Sequence, residues 1–240
     1  MKKLKGISGT GLIIIASLSM LIDHIGAVFF PGLIFMRLIG RTAFPIYAFL
    51  IAQGGRYTSN KGRYAVRLLI FAALSELPFD YAFYGKPGLM SQNVFFTLLI
   101  GLLVIWAFEA FVGRYYFLAV VSLIAGYLAA DYIKCDYGGW GVMLIWMLWR
   151  FGAKREGAAA VITAMLLIMV LPGVLDAVGK TSLRLWSYRL LQLGGIASLI
   201  PLWFYNGTRG AQSWPPMIRR WAFYAFYPLH LAVLAVVNTM

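Results

Sequence analysis

Asp23 and His24 stand side by side, and Arg37 and Arg41 stand four residues apart, inside two apolar runs separated by Pro31-Gly32. Counted outward from that turn, His24 falls between the two arginines. At about 1.5 Å per helical residue the groups agree in depth to within roughly one turn. Ionisable side chains at membrane depth are costly, avoid lipid and mark functional sites by default. Their chemistry suits transfer of an acyl group to a hydroxyl or amine. A base must take the acceptor proton, and positive charge must receive the oxyanion. His24 has an ordinary pKa near neutrality and is the candidate base; Arg37 and Arg41 are the candidate oxyanion partners. Asp23 points about 100° away from His24 on a helix and is better placed to pair with Arg37 or Arg41. A purely structural ion pair, Asp23 with one arginine, is the alternative, and it leaves His24 and the second arginine unused.

Three further polar sets follow. Glu76 and Asp80 share a helix face just before a turn at 85–88, with Gln92 and Asn93 just after it. Either carboxylate is a candidate to orient His24, and Gln92 and Asn93 are candidate substrate contacts. Arg56, Lys61, Arg63 and Arg67 cluster at the mouth of the second and third runs. They read either as topogenic charge or as a site for the phosphates of a cytosolic donor, with Arg56, Arg63 and Arg67 suited to bidentate contacts. Toward the end of the chain stand Asn206-Gly207 and Tyr227-Pro228-Leu229-His230. Asn206 and His230 are candidate substrate contacts, although His230 could equally satisfy a proline-kinked helix. No CxxC, HExxH, Walker-type or GxGxxG pattern is present, which argues against zinc, P-loop and Rossmann chemistry and leaves no metal site to expect. Cys135 is the single cysteine, so no intrachain disulfide can form.

The elements that must position these groups are apolar. Hydrophobic residues make up 62% of the chain and charged ones 12%, with a mean hydropathy of +0.80. Soluble domains carry about twice that charge, so the solvent for most of this chain is lipid. The net charge of +13 sits between apolar runs, which points to anionic lipid and to the positive-inside rule, not to nucleic acid. Runs near the ~20-residue spanning length fall at about 8–30, 33–53, 64–84, 91–111, 115–133, 138–151, 157–177, 187–205 and 220–238. The expected fold is all-α: one domain over 1–240, a polytopic transmembrane helical bundle of about nine spans (eight to ten). The basic start followed by an apolar run resembles a signal peptide but is long enough to be an uncleaved first span.

With the N-terminus in the cytoplasm, the inner segments hold Lys2, Lys3, Lys5, Arg56, Lys61, Arg63, Arg114, Arg150, Lys154, Arg155, Arg209, Arg219 and Arg220. The outer ones hold only Lys86, Lys134, Lys180 and Arg184. Arg37, Arg41, Arg67 and Arg189 fall within spans. This asymmetry favours a multi-pass protein of the cytoplasmic (inner) membrane with the two turns at 31–32 and 85–88 outside.

Several stretches resemble the TraX family, bacterial membrane proteins named for the acetylation of conjugative pilin. They are 20–28 (MLIDHIGAV), 37–49 (RLIGRTAFPIYAF), 75–80 (SELPFD), 92–97 (QNVFFT), 205–207 (YNG) and 226–230 (FYPLH). They occur in order over nearly the whole chain. The resemblance implies membership of a wider group of transmembrane acyltransferases that take an acyl-CoA donor from the cytoplasm and modify acceptors at the far face. It also implies that a histidine near the outer end of the first span, here His24, takes part in catalysis. The expected activity is therefore an O- or N-acetyltransferase using acetyl-CoA, with a glycan, lipid or peptide acceptor. A secondary transporter of a small anion or proton-coupled solute, or a non-catalytic assembly factor, are the competing readings. No internal repeat favours the transporter.

Overall fold

The computed structural model describes residues 6–88, 90–179 and 190–239. Among them all regular structure is helical, and two isolated bridges, Ile7 with Tyr205 and Gln92 with Cys135, replace any sheet. That outcome follows from the solvent: in lipid a chain satisfies its backbone groups internally only as helices or closed barrels. The helices are α1 (Gly9–Phe29), α2 (Ile34–Gly40), α3 (Ala43–Tyr57), α4 (Lys61–Tyr84), α5 (Val94–Phe111), α6 (Tyr116–Tyr132), α7 (Gly138–Phe151), α8 (Arg155–Gly179), α9 (Leu199–Trp203) and α10 (Pro216–Thr239), with a 3-10 segment at Gln192–Ser198.

Four of these are long and apolar enough to cross a membrane: Gly9–Phe29, Ile34–Tyr57 taken across its break, Val94–Phe111 and Trp221–Asn238. The other runs are helical where described, but differ physically. α4 carries five charged residues, Lys61, Arg63, Arg67, Glu76 and Asp80, and α6 and α7 are short. Residues 187–189 of the eighth run, Arg189 among them, lie outside the described residues, as do Lys180 and Arg184. The run at 33–53 is not one helix, contrary to its unbroken hydropathy. It stops at Gly40 and restarts at Ala43, with Arg41 and Thr42 in a turn between. Pro45 falls in the first turn of α3, where its missing N–H costs nothing.

Contacts group the chain into two compact units: Met1–Tyr47 with Lys154–Phe223, and Ala48–Ala153 with Tyr224–Met240. In the first, α1 packs on α2, α2 on the 3-10 segment, and that segment on α8 and α9. Ser8 caps α1 by accepting from the Gly11 N–H. The strand-like stretch around it is tied to a distant loop: Ile7 N–H donates to Phe204 O at 2.8 Å and Asn206 N–H to Ile7 O at 2.9 Å.

In the second unit, α4, α5, α6 and α7 form successive antiparallel neighbours, with α5 against each of the others. Asn60 caps α4 and Asn93 caps α5, each through its side-chain oxygen, and α4 ends at Gly85 in the left-handed conformation. The loop between α6 and α7 holds Lys134, Tyr137 and Gly138 at positive φ. It is pinned to residue 92 by two backbone hydrogen bonds, Gln92 N–H to Lys134 O and Asp136 N–H to Gln92 O.

Candidate functional site

Within the first unit, a chain reversal at Phe30–Leu33 lays α2 back along α1. Two glycines set how closely the helices approach. A Cβ on Gly26 would lie 2.7 Å from that of Met36, and one on Gly40 would fall inside the Asp23 side chain. This closeness brings Asp23 to both arginines. Arg41 Nη2 lies 2.9 Å from Oδ2 and 3.2 Å from Oδ1, and Arg37 Nη1 lies 3.0 Å from Oδ2. The same Arg37 nitrogen also donates to the Asp23 backbone carbonyl at 3.1 Å. All three side chains are largely buried, 10% exposed for Asp23, 19% for Arg37 and 11% for Arg41. So Asp23 takes both arginines, where the sequence argued for one or the other. His24 is buried next to it in the chain, about 100° round α1. Seven residues earlier, nearly in line with His24 on the helix, Ser17 shares a 2.8 Å hydrogen bond with Tyr47 OH. That pair was missed in the sequence because neither residue is charged.

In the second unit, Gly88 and Asn93 meet the carboxylates of α4. Asn93, completely buried, donates through Nδ2 to Glu76 Oε2 and to Ala72 O, while its Oδ1 accepts from Phe95 N–H. Asp80 Oδ2 accepts from Gly88 N–H at 2.8 Å. Asn93 therefore locks Glu76 and starts α5, and Gln92 is held through its backbone. Thr97 donates to the Asp136 carbonyl, and Cys135 is buried between them. Burial pushes the Cys135 thiol up to about 11, against a lowering hydrogen bond with Thr97.

The opposite end of this unit is basic. Lys61 pairs with Glu109 at 2.8 Å, Arg56 donates to the Trp149 carbonyl at the end of α7, and Arg63 is exposed. Arg67 lies over the rings of Tyr64 (5.7 Å) and Tyr224 (5.9 Å). The three proposed phosphate contacts thus differ in kind: one tied to backbone, one in solvent, one held between aromatic rings. Neither tyrosine was singled out from sequence, although the Tyr64-x-x-Arg67 spacing was available as a signal.

His230 is buried in α10, its Nδ1 2.8 Å from Phe226 O, its ring stacked on Phe226 at 4.8 Å and edge-on to Tyr227 at 5.5 Å. It contacts one carbonyl, Phe226 O, of a helix that contains Pro228. Asn206 belongs to the first unit. Its Nδ2 donates to Gly6 O and its Oδ1 accepts from Thr208 N–H and Oγ1, so its side chain shapes the 205–208 turn. Among the described residues no group of three or more His, Cys, Asp or Glu could hold a metal.

The family model described as "TraX protein" matches residues 8–238. The chain is 28% identical to a protein named "Probable fimbrial assembly protein FimC, serogroup H1" from Dichelobacter nodosus, covering 92% of this chain and 91% of that one. It is 27% identical to an uncharacterized protein of Rickettsia prowazekii, over 59% of this chain and 54% of the relative. No solved structure matches it.

Proposed function

The chain is a membrane protein of the TraX family, and from that premise we propose that it transfers an acetyl group from cytosolic acetyl-CoA to a hydroxyl or amine at the outer face of the inner membrane. The observation that carries the reading is the α1–α2 hairpin. It buries a histidine beside a carboxylate that holds two guanidiniums at membrane depth. In this reading His24 takes the proton of the acceptor as its oxygen or nitrogen attacks the thioester carbonyl. The carbonyl oxygen gains charge facing Arg37, whose single nitrogen on Asp23 leaves other donors of its five N–H groups. The carbon–sulfur bond then breaks, and the thiolate of coenzyme A receives the proton from the histidine.

Asp23 is a positioning residue that holds Arg37 and Arg41 in place. Arg56, Arg63 and Arg67 form the basic end that receives the donor phosphates. The N-terminus lies in the cytoplasm, which puts that end inside and Glu76, Asp80, Gln92 and Asn93 outside. The name of the Dichelobacter relative favours a second reading, a scaffold in fimbrial assembly without catalysis.

One experiment separates the two. Purified protein in nanodiscs, given labelled acetyl-CoA and membrane extract, releases coenzyme A and labels an acceptor if it is a transferase. A scaffold does neither at any protein concentration.

A further inference from the structure

We propose that Arg67, clamped between Tyr64 and Tyr224, is a built phosphate-binding side chain and that the two tyrosines are its positioning residues. Arg67 sits in the second turn of α4, about 10 Å along the helix from the Asn60 cap. Its guanidinium carbon lies 5.7 Å from one ring centre and 5.9 Å from the other. Each ring is braced from behind. Tyr64 packs edge-on against Trp106 at 6.3 Å, and Tyr224 stacks on Phe95 and leans on Phe71. Each ring thus has aromatic neighbours of its own.

Among the described residues no acidic side chain answers the charge of Arg67: it has no carboxylate within ion-pair distance, and its buried Nε has no hydrogen-bond partner. The nearby acid is spent, since Glu109 is paired with Lys61. Arg56, at the same end of the unit, gives one terminal nitrogen to Trp149 O and leaves the other buried without a partner. Ring faces attract a cation but accept none of its in-plane N–H bonds. A half-buried guanidinium whose Nε is buried without a partner suits an oxyanion, and its fork geometry matches phosphate.

Two sources present that chemistry at a membrane surface: the phosphates of a nucleotide-bearing donor, and the phosphodiester of an anionic lipid. The donor reading above bears only on which of them occupies the slot. Orientation of Arg67 by the rings also makes a distinction that charge alone would not. Lysine keeps the charge but loses the planar fork.

The test uses the full chain in phosphatidylcholine nanodiscs and measures binding without turnover, so it stands apart from any failure of acetyl transfer. One arm titrates adenosine 3′,5′-bisphosphate by calorimetry. The other exchanges phosphatidylglycerol into the disc and counts retained lipid by native mass spectrometry. The wild type is expected to hold at least one of these probes. Arg67→Lys and Arg67→Ala should each weaken it by at least ~10-fold, the effect of losing a charge-assisted contact. Tyr224→Leu should weaken it in the same direction and Tyr224→Phe should preserve it. Lys61→Met, which removes one charge from the same end, should change it less than ~3-fold, as an exposed pair would. Bisphosphate binding identifies a nucleotide donor and lipid retention alone identifies a headgroup. The proposal is overturned if wild type holds neither probe, or if Arg67→Lys, with an unchanged melting temperature, binds as wild type does.

Discussion

At the scale of single residues, the geometry of the candidate site was legible where charge stood out against an apolar background and illegible where it did not. Asp23, His24, Arg37 and Arg41 could be picked out because nothing else in their runs carries charge or titrates near neutrality. The pairing was only half readable, since spacing brings either arginine to Asp23 and only the packing around Gly26 and Gly40 brings both. Asn93 and Asn206 were read as substrate contacts, and the structure gives their side chains to Glu76 and Ala72 and to the 205–208 turn. Polar atoms in a turn and polar atoms in a binding site look alike in a sequence.

Four outcomes follow at this scale. His24→Ala and His24→Gln should both lower acetyl transfer by at least ~10²-fold, the lower range for a positioned base. Gln keeps hydrogen bonding but cannot take the proton, so near-normal transfer by His24→Gln would make the residue structural. Asp23→Asn should cost about 3–5 kcal/mol, because it strips two buried guanidiniums of their carboxylate. Lys61→Met, breaking a pair about half exposed on both sides, should cost no more than ~1 kcal/mol. Thermal melts in one detergent would rank them. Cys135, with its thiol raised to about 11, should alkylate very slowly at pH 8, where roughly one molecule in a thousand carries the thiolate. The rate should keep climbing past pH 9, where an ordinary thiol would level off; a plateau there would show the thiol is unperturbed. Its sign for stability is the same: the folded state disfavours the thiolate, so stability is lost as pH rises from about 9 toward 11.

At the scale of elements, hydropathy located the helices well because lipid imposes the helix, yet it missed the break in 33–53. Arg41 and Thr42 are flanked by apolar residues, so a sliding average runs straight over them. The cause is tertiary: Gly40 meets Asp23 on one side, and Gly194 meets the Leu38 carbonyl on another. Helix α2 is thus held on two faces by glycine contacts. Gly40→Ala should destabilise the protein by about 1–3 kcal/mol, the usual cost of overpacking, and should lower transfer as well by prying Asp23 from its arginines. A Gly40→Ala protein with unchanged melting and unchanged activity would mean the helices tolerate the added methyl by sliding. Pro228 and His230 show the other limit of sequence reading. The sequence leaves both the structural and the substrate role open, and the structure adds a 2.8 Å contact of Nδ1 with Phe226 O.

At the scale of the molecule, the second unit carries its charge by end. Arg56, Lys61, Arg63, Arg67, Arg114 and Arg150 lie toward the 57–60 turn with Glu109. Glu76, Asp80, Asp131 and Asp136 lie toward the opposite turns with Lys86 and Lys134. The proposed orientation, which rests on the positive-inside rule, has the 57–60 turn in the cytoplasm and the 31–32 turn, one span earlier, outside. A single cysteine at Gly32, in a Cys135→Ser background, should react with an impermeant maleimide from the periplasmic side. Labelling only from the cytoplasmic side would invert the whole arrangement.

The first unit is assembled from two separated stretches, Met1–Tyr47 and Lys154–Phe223, and that bears on the order in which the chain is made. The ion cluster joins residues no more than 18 positions apart, so the hairpin can neutralise Asp23 as soon as Arg41 leaves the ribosome. A charge-bearing span can thereby enter lipid without waiting for distant partners. The other face of α2 meets its glycine only when residue 194 arrives, and the start of α1 gains its backbone partners only with residues 204–209. A ribosome must therefore translate the whole of 48–153 while the newborn hairpin, electrically settled but uncovered on one side, stays parked in the bilayer.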